Sequence, residues 1–116
     1  MRYSKQLLSA STDGRAILVQ ATDITSSPTL IHEAHATALD LVTMYVTNNA
    51  TVDVALTVGF GGTTDPNDLI RATVPARAGL ALVCWKQPIR NSLDVVAAAS
   101  VANVLSIIGS VDRISP

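Results

Sequence analysis

The chain has 116 residues, enough for one domain but not for a second core. Eight Lys and Arg against nine Asp and Glu leave a formal charge of −1, with no run of like charge. That balance argues against a nucleic-acid or anionic-membrane surface, which needs clustered positive charge.

Only 15% of residues are charged, whereas 48% are hydrophobic, and the apolar mass is Ala, Val, Leu and Ile with four aromatic residues. A small domain of that composition is expected to hide part of its surface against partners, as a homo-oligomer. The single cysteine, Cys84, forbids an intrachain disulfide.

In chain order, the first segment is Met1 to Thr12. It mixes charge with apolar anchors at Arg2, Tyr3, Lys5, Leu7 and Leu8. Two readings fit: an N-terminal arm using these five residues as partner contacts, or the first strand of the domain's own sheet. It has no apolar run of seven or more, so no secretory signal is expected. Residues 13–116 then make one β domain. Arg15 to Ala21 follows the turn dipeptide Asp13-Gly14, and Thr29 to His35 follows Ser26-Ser27-Pro28. Val42, Met44 and Val46 alternate with Thr43, Tyr45 and Thr47. Val52 to Phe60 continues with period two over nine residues. With Asn48 to Thr51 as a turn between them, these two runs predict a β-hairpin.

Leu69 to Val74 is closed by Pro75, and Leu80 to Trp85 opens after Gly79. Lys86 to Ser92, with Pro88, predicts a loop, followed by a strand over Leu93 to Ala99. Ala97 to Ala99 suits a helix by propensity, but the β-branched Val95, Val96 and Val101 around it favour a strand. Asn103 to Arg113 predicts the last strand, with Leu105, Ile107 and Val111 on one face and Val104, Ile108 and Asp112 on the other. Val95 to Ile108 is interrupted by Ser100, Asn103 and Ser106 and is too short for a membrane span. About eight strands at this spacing predict an antiparallel β-sandwich or jelly roll.

Chemical constellations are sparse. His32 and His35 stand three apart, which on a strand points them to opposite faces, so they are expected not to chelate together. Asp65, Asn67 and Asp68 offer oxygens but too few for calcium, and they suit an ordinary turn. Cys84 lies in an apolar strand with no visible base to activate it. Gly59 to Gly62 matches no phosphate-binding pattern. With no secretory signal expected, the Asn49-Ala50-Thr51 glycosylation pattern is read as a chance match. No enzyme activity, cofactor or metal is expected.

Three stretches carry a family resemblance. The first is Leu30-Ile31-His32-Glu33-Ala34-His35 with Leu39-Asp40 and Val52-Asp53 to Leu56-Thr57. The second runs from Gly61-Gly62-Thr63-Thr64-Asp65-Pro66-Asn67-Asp68-Leu69-Ile70 to Val74-Pro75-Ala76-Arg77-Ala78-Gly79-Leu80. The third is Ala102-Asn103-Val104 to Ile108-Gly109-Ser110-Val111-Asp112-Arg113-Ile114. Over residues 29–114 the chain resembles a group of small virion structural proteins of tailed bacteriophages. The resemblance implies a capsid decoration, or cement, protein made in the host cytoplasm. It would sit on the capsid surface, commonly as a trimer, bind the major capsid protein and stabilise the head. It also leaves open a tail, neck or head-fibre module that binds a receptor or carbohydrate, with Trp85 and Tyr45 as the aromatic faces. It brings no catalytic residue.

Overall fold

The computed structural model describes residues 2–77 and 79–115. It is all-β, with nine strands: β1 (Arg2–Leu7), β2 (Ile17–Leu18), β3 (Thr29–Glu33), β4 (Leu39–Asn48), β5 (Val54–Phe60), β6 (Leu69–Val74), β7 (Ala81–Ile89), β8 (Asp94–Ala99) and β9 (Leu105–Ser115). All pairings are antiparallel. One sheet runs β1-β9-β4-β7, with the short β2 pairing β9 further along. The other runs β3-β8-β5-β6. The pairs β1·β9, β3·β8, β4·β7 and β5·β6 nest inside one another, as when a long hairpin is rolled up on itself. This is jelly-roll order, one of the two architectures that the turn spacing predicts. The body measures 45 × 27 × 20 Å, and its thin dimension is that of two sheets stacked face to face.

Period-two patterning builds the core. Along β4, Val42, Met44 and Val46 turn inward and are closed to solvent, while Leu41, Thr43 and Tyr45 turn outward and stay half-exposed. β9 supplies Leu105, Ile107 and Val111 to the same interior, and β5 faces them from the second sheet with Val54, Leu56 and Val58. The β9 faces are those expected from alternation. β8 is buried along Val95 to Ala99, and Ala97 to Ala99 are strand, not helix. Gly109 is required where β9 passes β4: a Cβ there would stand 2.0 Å from the Thr43 carbonyl oxygen.

Three expectations are corrected. The runs around Asn48 to Thr51 do not form a hairpin, because β4 lies in one sheet and β5 in the other. The chain arches between sheets there, pinned by the buried Asn48 amide. This group donates to the carbonyls of Val52 and Val74 at 2.9 Å each and accepts the Ala50 N–H at 2.8 Å. The strand at Arg15 to Ala21 shrinks to Ile17–Leu18, and Val19 leaves the ladder to bond Leu105 and Asn103 instead. The Lys86 to Ser92 loop begins late: β7 continues to Ile89 through Lys86 and Pro88. As an edge strand it tolerates the proline, and left-handed Lys86 (φ 49°) marks its irregular register with β4.

Candidate functional site

Two polar clusters stand out, one sealed inside the sandwich and one on its outer face. The inner cluster begins with a bulge. The β3–β8 register shifts between Leu30 and His32, so Ile31 and His32 are both buried. The Ser9 N–H donates to His32 Nδ1 at 3.0 Å, which leaves the proton on Nε2, and that nitrogen donates to Asp40 Oδ2 at 2.8 Å. Arg113 reaches Asp40 from β9 with Nε at 2.7 Å and a second nitrogen at 3.1 Å, and the His35 N–H adds a bond at 3.2 Å. Burial alone would raise the Asp40 carboxyl. The bonds from Arg113, His32 and His35, with the guanidinium charge, outweigh it and hold the group below its ordinary value. The same pairing raises Arg113, chiefly through its hydrogen bond to Asp40.

Ser9, His32 and Asp40 are the residue types of a hydrolytic triad, but the geometry is different. Ser9 meets the imidazole through its backbone N–H. Its hydroxyl instead accepts the Glu33 N–H at 2.6 Å. A nucleophile needs its own oxygen on the base. With His32 and Asp40 closed to solvent, this network ties the N-terminal turn, β3, β4 and β9 together.

The outer cluster sits on the exposed face of the β1-β9-β4-β7 sheet. Register places Lys5, Asp112 and Leu41 in one row across it, Tyr3, Ile114 and Leu39 in the next, and Ile108, Tyr45 and Leu82 in a third. Asp112 is 3% exposed although it lies on the outside of a sheet. Lys5 stands 3.2 Å from its Oδ1 and Lys86 3.8 Å from its Oδ2. The Lys5 contact lies off the line of a hydrogen bond, and Oδ1 accepts none. Burial would raise this carboxyl, but Lys5, the Tyr3 hydroxyl and Lys86 bring it below its ordinary value. The Lys86 ammonium also lies 5.1 Å from the centre of the Trp85 ring, within cation–π range. Trp85 itself is 63% exposed and borders a groove of about 400 Å³ between the edge strands β6 and β7, beside Phe60, Leu69, Ile70 and Val83.

The structure separates the other candidates. His35 lies past the end of β3, where its Nδ1 accepts the N–H groups of Thr37 and Ala38, so the two histidines serve different turns. Asp65 forms a two-bond pair with Arg71, whereas Asp68 accepts the Thr64 N–H and folds back over its loop. Burial pushes the Cys84 thiol up, and its S–H points at the Val42 carbonyl 3.4 Å away. Among the described residues no group of three His, Cys, Asp or Glu is placed to hold a metal ion. Among them, too, no helix is long and apolar enough to cross a membrane.

Of the five expected N-terminal contacts, Tyr3, Lys5 and Leu7 lie on the open sheet face, with Tyr3 and Leu7 more than half exposed. Arg2 is exposed at the start of β1. Leu8 departs from the expectation: it is 1% exposed and belongs to the core, so it anchors the segment rather than meeting a partner. The segment is a strand of the chain's own sheet. Asp40, Arg113 and Asp112 were not singled out in the sequence, though a signal existed. Asp40 continues the inward series Val42, Met44, Val46, and a charge in that phase must find a buried partner.

Comparison with protein-family models gives no match, and comparisons with curated proteins and with solved structures give none either.

Proposed function

We propose that the chain is a virion structural protein, a decoration or cement protein that seats as a trimer on the lattice of the major capsid protein and stabilises the head. The carrying observation is the open outer face of the β1-β9-β4-β7 sheet. Leu39, Leu41, Tyr45, Leu82, Ile108 and Ile114 lie there, Leu82 exposed and the others half-buried, and among the described residues no further strand covers them. This face, apolar around the Lys5–Asp112–Lys86 cluster at its middle, marks an interaction surface, which we assign to the seam within the trimer. Covering it yields roughly 25 cal/mol per Å² buried, against which the cost of association is set. The phage resemblance over residues 29–114 supports the reading. So does the jelly-roll order, a fold-level analogy, since viral capsid domains use it. The protein would work by covering a surface, without nucleic acid, membrane or cofactor. Purified protein mixed with undecorated capsids should co-sediment with them, and protein that stays in the supernatant overturns the decoration role.

A second reading is favoured by Trp85, whose exposed ring lies beside the β6–β7 groove. A flat aromatic face at the rim of a groove suits a sugar ring, and lectin domains share the jelly-roll order. A tail, neck or head-fibre module would then bind a glycan array and lose its signals on Trp85→Ala. An array without signals overturns that reading.

A further inference from the structure

Resting on the reading of the chain as an assembly protein, we propose that the outer face of the β1-β9-β4-β7 sheet packs against the Glu33–Asp94 end of a second copy of this chain. The contact is head-to-tail and closes into a ring. The face has the size for it. Four strands about 4.8 Å apart and rows about 6.8 Å apart give roughly 500 Å², the larger part of the 800 Å² per partner of a standard interface.

Its charge selects the occupant. Lys5 and Lys86 flank the single buried carboxylate of Asp112, so the face carries one positive charge in excess. Two such faces packed against each other about a two-fold axis would enclose four ammonium groups around two carboxylates. That arrangement disfavours a symmetric dimer. A complementary surface exists elsewhere on the same chain. Glu33 and Asp94 stand directly opposite each other in the β3–β8 pairing, both exposed, and neither joins an ion pair among the described residues. Like charges directly opposite across two strands destabilise a sheet, and cations from a neighbouring copy relieve that cost. A head-to-tail contact has no two-fold axis relating its two sides, so it cannot close as a dimer. The smallest closed assembly is therefore a ring of three.

Sedimentation velocity of the full chain at tens of micromolar, at low and high salt, tests this. The expected result is a species of three or more chains that weakens as salt rises. Glu33→Lys with Asp94→Lys should lower the self-affinity roughly tenfold or more. Leu82→Glu should do the same from the other side of the contact. All three positions are exposed, and far-UV circular dichroism verifies that the variants keep the wild-type strand signal. A wild-type monomer, a dimer that stops at two chains, or an assembly indifferent to either variant overturns the proposal. A ring that forms but leaves undecorated capsids bare upholds the contact and overturns only the decoration role.

Discussion

His32 and Asp40 face each other at 2.8 Å inside the sandwich, each almost wholly withdrawn from water, with the imidazole donating to the carboxylate. The pair is held from both ends: Ser9 donates to the far side of the ring, and Arg113 occupies both carboxylate oxygens. A buried carboxylate with four donors around it is a structural joint, and it fixes which end of β3 meets β4 and β9. The open sheet face is arranged differently. There Asp112 lies between two lysines that keep much of their side chains in water, and one of its oxygens lacks a hydrogen bond. The sealed network stabilises the chain itself, while the open one leaves interaction capacity unused.

Asp40→Asn should destabilise the protein by about 3 kcal/mol, since it leaves the Arg113 guanidinium without a counter-charge. Arg113 keeps 23% of its side chain exposed, which sets the cost toward the low end for a broken buried pair. Urea unfolding at neutral pH measures it. A loss under about 1 kcal/mol would mean that Arg113 finds water enough on its own.

The acid limb of stability should follow the same group. Asp40 is held below the ordinary carboxylate value of 3.8, so the unfolded chain takes up its proton first as pH falls. The stabilisation is fully present above the unfolded value and is lost as pH drops through the lower folded value. Asp112 shifts in the same direction and adds to the effect. Thermal midpoints from pH 7 down to pH 2 should therefore fall steeply at the acid end for the wild type and less steeply for Asp40→Asn. Parallel curves would place the acid sensitivity in other carboxylates.

Gly109→Ala should cost about 2–4 kcal/mol. The added Cβ meets the Thr43 carbonyl oxygen at 2.0 Å and the Met44 Cα at 3.1 Å, all backbone, so β9 and β4 must separate to admit it. Ser106→Ala, on the half-exposed face of the same strand, should stay within about 0.5 kcal/mol. Equal effects at the two positions would show that close approach is not what requires the glycine.

Much of the fold was readable from period two alone. The inward sets of β4, β5 and β9 were identifiable because one face of each strand is buried and the other is not. What escaped were features set by distant contacts. The two runs around Asn48 alternate as a hairpin would, and only the pairing partners across the domain show that they belong to different sheets. β8 is buried on both faces, so alternation could not report its environment. The His32 network escaped because a bulge in β3 reverses the phase that alternation assigns to His32. Asp112 escaped because the lysines that face it, Lys5 and Lys86, are 107 and 26 residues away in sequence.

The arch that replaces the expected hairpin should depend on the Asn48 amide. Asn48 is itself 0% exposed; its nitrogen donates to the Val52 and Val74 carbonyls, and its oxygen accepts the Ala50 N–H. Asn48→Ala removes three bonds and strands buried polar groups, at a cost of about 3 kcal/mol by thermal or urea unfolding. Asn48→Asp separates hydrogen bonding from volume, because it keeps the size and the acceptor but replaces the one nitrogen that donates both bonds with an oxygen facing two carbonyls. If the donors hold the arch, Asn48→Asp should be at least as destabilising as Asn48→Ala at neutral pH, and less so once acid protonates the new carboxyl. An aspartate that retains wild-type stability at neutral pH would mean that side-chain volume, not the pair of donated bonds, holds β4 and β5 in separate sheets.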